Sequence, residues 1–145
     1  MRVPSATLVL DAAILISAAV GRSSGAIARV AAVRSIVTTE RVVEEATRRI
    51  ALGLGRPDFL ASMGVLLDEV GVVAMDSVAS IIRDSESFLR DAPASRNGST
   101  RDAHVLALAW DTGADIWSTD RDFAGTGVAT WSTPNLVRAL AEAGL

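Results

Sequence analysis

The chain has 145 residues, half of them apolar, with a formal net charge of −3. That length suits one compact domain, residues 1–145, burying roughly 70% of its unfolded surface, and the charge argues against gripping nucleic acid through a broad basic face alone. With no cysteine, one histidine and arginine as all 14 basic residues, disulfides, thiolate chemistry, sulfur or multi-histidine zinc sites, Schiff bases and P-loop lysines are excluded, and a reducing cytoplasm is the expected setting.

Met1–Gly21 has the outline of a signal peptide, but Asp11 interrupts its apolar run. No stretch approaches the ~18 uncharged apolar residues of a membrane helix, so no membrane association is expected. TLVL (7–10) reads as a first strand, followed by helices over about Ala13–Val20 and Ser24–Val33. SIVT (35–38) is a second strand, and Thr39 can cap a helix running to the glycines at 53–55. A helix over PDFLASMGVLLDEV, a strand at VVAM (72–75) and a helix capped by Asp76 and reaching Arg90 come next. DAPASRNGST (91–100) has loop composition. A helix from Arg101 to Thr112, a strand at ADIWS, a turn at TDRDFAGTG, a strand at VATW and a final helix opened by Thr133 and Pro134 complete the chain. Strands alternating with helices predict an α/β fold: a parallel sheet with helices on both faces.

In such a sheet, ligands sit beyond the carboxyl ends of the strands. Asp11 directly follows the first strand, Asp120 and Asp122 follow ADIWS, and Asp102 opens the helix that leads into that strand. These acids can therefore gather at one edge, where like charges about 4 Å apart repel by ~4 kcal/mol at an effective dielectric of 20. A divalent cation relieves that repulsion, and an all-oxygen ligand set selects Mg²⁺ or Mn²⁺. A fourth carboxylate is expected from the helix after SIVT. At 100° per residue Val42, Val43, Ala46 and Ile50 share one face, Glu44 points away from it, and Glu45 lies on its flank, which favours Glu45.

Each acid also has a plain structural explanation. Asp11 can cap the first helix. Glu45 and Arg49 are spaced for an i, i+4 ion pair. Asp102 follows Ser99 at capping-box spacing, and Asp120 and Asp122 suit a glycine-containing turn. These explanations are independent of one another, whereas one cation accounts for all the placements together. GRSSG (21–25) matches a nucleophile elbow by letter only, because it follows a helix. His104 and the tryptophans Trp110, Trp117 and Trp131 are read as packing residues. The stripe Ile14, Ala18, Ile27, Val30 fits either the core or a dimer face.

LVLDAAILISA, IVTTERVVEEA, RDAHVLALAWDTGADIWSTDRDF and GTGVATWST together resemble successive blocks of the PIN-domain family, the nuclease fold of VapC-type toxins. The resemblance covers nearly the whole chain and is most specific where an Asp-led helix precedes a strand ending in Thr-Asp-x-Asp-Phe. It implies a three-layer α/β/α sandwich, a homodimer, and an endoribonuclease that hydrolyses single-stranded RNA with Mg²⁺ or Mn²⁺, held in check by a small antitoxin protein. By position it implies Asp11, Glu45, Asp102 and Asp120 as the catalytic acids, with Asp11, Asp102, Asp120 and the accessory Asp122 as metal ligands. In that mechanism one or two ions about 3.5–4 Å apart activate water and orient the phosphate, Thr119 donates a hydrogen bond to it, and Arg121 or Arg101 neutralises it. The chain departs from the family in the two alanines after Asp11, where a small polar pair is common. That departure motivates the alternative of a catalytically degenerate interaction or dimer module; a metal-dependent DNA nuclease or phosphatase is a further alternative.

Overall fold

The computed structural model describes residues 2–22, 24–78, 82, 85–86, 102–120 and 123–145. Its strands are β1 (Thr7–Leu10), β2 (Ser35–Thr39), β3 (Gly71–Val73), β4 (Asp115–Trp117) and β5 (Thr130–Trp131). They form one sheet in the order β3-β2-β1-β4-β5, every pairing parallel. The helices are α1 (Ala12–Ala19), α2 (Ser24–Ala31), α3 (Glu40–Arg48), α4 (Phe59–Leu67), α5 (Ala103–Thr112) and α6 (Thr133–Glu142).

From β1 the chain moves outward through β2 to β3, and right-handed crossovers put α1–α4 on one face. It then returns to the other side of β1, and the reversed direction carries α5 to the opposite face, where it lies across β1, β2 and β4. The result is the three-layer α/β/α sandwich that the alternation of elements predicts. Strand order reverses between β1 and β4, so the carboxyl ends of these two strands frame the expected ligand crevice.

The central strands explain why their sequences read as unbroken apolar runs. Leu8, Val9 and Leu10 of β1, and Ile116 and Trp117 of β4, are fully buried between the two helical layers. Leu15 and Ala18 of α1, Ile27 and Val30 of α2, Val42 and Ala46 of α3, and Val105 and Leu106 of α5 close over them. Each large aliphatic side chain in this set contributes roughly 1.5–3 kcal/mol. The stripe Ile14, Ala18, Ile27, Val30 belongs to this core, which removes it as a candidate dimer face. Gly113 ends α5 at φ +67, a left-handed C-terminal cap that glycine adopts without strain.

Several boundaries differ from those read in the sequence. The third strand ends at Val73, and Met75–Val78 form a 3₁₀ turn with Asp76 in its first turn; the Met75 amide donates to Glu40 Oε1 at 2.8 Å. Most of the helix expected up to Arg90, and the loop at 91–100, lie outside the described residues. After α3 the chain widens into a π-helical turn, Arg49–Gly53. The last strand is only Thr130–Trp131, although the Ala129 carbonyl already accepts from Ile116 N at 2.8 Å. No helix among the described residues is long and apolar enough to cross a membrane.

At the amino end of β4 a second polar group fastens the sheet. Asp115 is 7% exposed; its Oδ2 accepts from the Ser5 amide at 3.1 Å and from Trp131 Nε1 at 2.9 Å. Its own amide donates to Ser5 Oγ at 2.7 Å, and Arg2 approaches Oδ1 to 3.6 Å. This end is opposite the crevice.

Candidate active site

Asp11 is the first residue past β1, and its amide extends the ladder by donating to Trp117 O at 3.1 Å. It caps α1, Oδ1 accepting from the Ala12 amide at 2.8 Å, so the plain capping explanation holds. The cap does not exhaust the residue. Oδ2 accepts from Ser118 Oγ at 2.6 Å, and Ser118 Oγ in turn accepts from the Asp120 amide at 2.9 Å. A buried hydroxyl thus joins the end of β1 to the loop after β4, across 107 positions of sequence. Burial pushes the Asp11 carboxyl above its usual range. The bonds from Ser118 and Ala12 oppose this, and the charges of Asp120 and Glu45 add to it.

Asp102 occupies the cap position of α5, yet its side chain makes no capping bond to the helix. Its carboxyl is hydrogen-bonded to that of Asp120 and is pushed up to about 8, first by desolvation, then by the Asp11 charge, the Asp120 bond and charge, and Glu45. Burial and the surrounding negative charge thus favour the protonated form of Asp102. Glu45 sits half-buried on the flank of α3, close enough to raise both Asp11 and Asp102, while Glu44 is exposed. Of the two neighbours, it is Glu45 whose charge reaches the aspartates. The i, i+4 pair is also present, with Arg49 3.8 Å from Glu45 Oε1.

The fold thus brings Asp11, Glu45, Asp102 and Asp120 into one electrostatically coupled group at the carboxyl ends of β1 and β4. α1 and α5 both begin there, and their partly positive amino ends favour the negative charge. Among the described residues, no three acidic or histidine side chains lie so as to enclose an ion. Asp11 is taken up by Ser118 and Ala12, and Asp102 interacts with Asp120. The donor set fits a hard divalent cation chemically, being all oxygen and carrying mutual repulsion that positive charge relieves. Thr119 is exposed beside Asp120. Arg101, Arg121 and Asp122 lie outside the described residues.

Sequence reasoning overlooked Ser118. Its signal was available: in an extended chain, positions two apart share a face, so the residue two before Asp120 is the one that turns toward the same crevice. His104 is 1% exposed, and its Nδ1 lies 2.7 Å from Thr39 Oγ1. Trp117 is fully buried with Nε1 on Thr133 Oγ1 at 3.0 Å, in keeping with a packing role.

A family model described as PIN domain matches residues 9–141. No curated protein matches the sequence. Among solved structures, Mycobacterium tuberculosis VapC20, a sarcin-ricin loop cleaving toxin, superposes with a TM-score of 0.62 at 20% identity, covering 84% of this chain and 96% of that one. VapBC2 from Rickettsia felis, bound to a DNA fragment from its promoter, gives 0.69 at 9% identity, covering 87% and 98%. A toxin-antitoxin complex from Klebsiella pneumoniae gives 0.61 at 18% identity, covering 87% and 97%. These likenesses establish a shared fold. Because the family match runs from the first strand to the last helix over that fold, the chain belongs to the PIN-domain family, a family of nucleases that generally use divalent metals.

Proposed function

We propose that the protein is a metal-dependent endoribonuclease that hydrolyses phosphodiester bonds of single-stranded RNA, the toxin of a toxin-antitoxin pair. The observation that carries this reading is the convergence of four carboxylates, each within electrostatic reach of the others' aspartates, at the strand switch point, where Ser118 joins Asp11 to the Asp120 backbone. Asp11, Asp102 and Asp120 would hold Mg²⁺ or Mn²⁺, with Glu45 beside them and Asp122 as an accessory ligand. When bound, such an ion lowers the pKa of water and neutralises phosphate charge.

The chain's own contributions follow from position. Ser118 holds Asp11 Oδ2 in a fixed direction through its hydroxyl, and the carboxylate keeps further acceptor capacity. Asp102, whose protonated form the metal-free fold favours, would release that proton to water on serving as a ligand. Glu45, partly exposed on the flank of α3, is placed to accept a proton from water. Thr119 donates to a phosphate oxygen, and Arg101 and Arg121, which flank Asp102 and Asp120 in sequence, balance its charge.

The antitoxin partner is supported by the toxin-antitoxin complexes among the structural neighbours. It is supported also by an apolar groove of about 230 Å³ lined by Ala13, Ile16, Val20 and Leu54 and rimmed by Arg22 and Arg49. A homodimer is part of the same reading, on a surface other than the α1–α2 stripe. The competing reading, a scaffold without catalysis, is favoured by the alanines after Asp11 and by described side chains that enclose no ion as they stand. Cleavage of single-stranded RNA with Mg²⁺ or Mn²⁺, compared with Asp11→Asn and with EDTA, tests the proposal. Metal-dependent cleavage that persists in Asp11→Asn removes it, and a chain with no Mn²⁺ affinity by calorimetry leaves the scaffold.

A further inference from the structure

The four acids reach the crevice from different layers. Asp11 and Asp120 follow adjacent strands and are joined directly through Ser118. Asp102 and Glu45 are carried by α5 and α3, helices on opposite faces of the sheet. Both helices pack on β2, and the carboxyl end of that strand is where a direct bond between the two layers can fix the two acids relative to each other.

One buried side-chain bond makes that link. Thr39 is the last residue of β2 and the cap of α3, its Oγ1 accepting from the Val42 amide at 3.0 Å. The same oxygen is 2.7 Å from Nδ1 of His104, in the first turn of α5, and both residues are fully buried. One residue earlier, Thr38 Oγ1 donates to the Leu10 carbonyl at 2.7 Å, adjacent to Asp11. The cap that starts the Glu45 helix is therefore bonded to the turn that starts with Asp102, and the strand that precedes it is tied to the residue before Asp11. Buried bonds of this kind fix geometry because breaking one leaves two polar atoms without solvent.

We infer that His104 is a positioning residue for the carboxylate centre, setting the separation of Asp102 from Glu45 through its bond to Thr39. The inference rests on the reading of that centre as a cation site. Groups hydrogen-bonded directly to metal ligands typically change metal affinity about 10- to 100-fold when removed, and His104, which acts one bond further back, is expected at or below the lower end of that range.

Calorimetric titration with Mn²⁺ tests it on the full chain. Compared with wild type, His104→Leu, close in volume but without the ring nitrogen, is expected to weaken Mn²⁺ binding by up to ~10-fold. His104→Asn places an amide where Nδ1 stands and is expected to recover most of that loss, whereas His104→Gln, one bond longer, is not. In EDTA, a double-mutant cycle of urea unfolding between His104→Leu and Thr39→Val is expected to show coupling of roughly fivefold in the unfolding constant. A folded His104→Leu that binds Mn²⁺ as tightly as wild type overturns the inference, as does the absence of coupling in the cycle. Should His104→Leu fail to fold, equal Mn²⁺ affinity of the Asn and Gln variants overturns it. If wild type itself binds no Mn²⁺, the cation reading fails and this inference with it. Equal binding by wild type and His104→Leu defeats this inference alone.

Discussion

Replacing Asp102 by asparagine is expected to stabilise the metal-free protein in alkaline solution while removing its response to cations. In the folded chain the Asp102 carboxyl is pushed up to about 8 from an ordinary 3.8, because burial and the neighbouring Asp11 and Asp120 disfavour its charge. Between those two pH values the folded state holds a proton that the unfolded chain releases. The contribution to stability is complete below about 4, falls as pH rises and is gone above about 8. A gap of that size has a ceiling of about 5–6 kcal/mol, and solvent screening at a half-buried site reduces it to about 1–2 kcal/mol. The amide of Asp102→Asn never ionises, and it can still donate to Asp120. At pH 9 in EDTA the variant should therefore melt roughly 3–6 °C above wild type, with the difference shrinking toward zero at pH 4. Saturating Mn²⁺ reverses the order: at 100 times the Kd it adds ~2.7 kcal/mol to wild type and little to the variant. Differential scanning calorimetry at pH 4 and 9, with and without Mn²⁺, reads all four states. A variant no more stable than wild type at pH 9, or a difference that does not change with pH, refutes the electrostatic account.

Ser118→Ala leaves Asp11 Oδ2 and the Asp120 amide without their shared partner and should cost about 2–3 kcal/mol in urea unfolding, with Ser118→Thr restoring part of it. Asp115→Ala removes the acceptor of Ser5 and Trp131 at the other end of β4 and should cost a similar ~2–3 kcal/mol while leaving Mn²⁺ affinity within error by calorimetry. Glu45→Gln should lower RNA cleavage by at least ~10-fold, whereas Glu44→Gln, exposed on the far side of α3, should cleave like wild type.

The layers were legible because burial dictates pattern. Central strands covered on both faces must be continuously apolar, as TLVL is, and the buried side of α3 must recur at Val42, Ala46 and Ile50, which also set Glu45 apart from Glu44. Asp11 and Asp120 were legible as neighbours because the chain places each directly after one of two strands that pair. What escaped was whatever depends on partners distant in sequence. The Ser118 hydroxyl bridging to Asp11, the Thr39–His104 bond and the fastening of Asp115 by Ser5 and Trp131 each join residues that share no local pattern. The π-helical turn at Arg49–Gly53 escaped for another reason. Its wider repeat inserts a residue without breaking the apolar sequence, and the bond from Leu54 N to Arg49 O at 2.8 Å reveals it only in three dimensions.

β1 and β4 are neighbours in space, but their acids, Asp11 and Asp120, leave the ribosome far apart in time. At ~5–20 residues per second, roughly 5–20 s separate their synthesis. Once Glu45 has been made, the nascent chain carries α1 and α3 with both their acids but still lacks the strand that brings Ser118 and Asp120 alongside. Any step that needs Asp11 and Asp120 together therefore waits until β4 has been made and has paired with β1, so the order of synthesis itself keeps the two halves of the crevice apart.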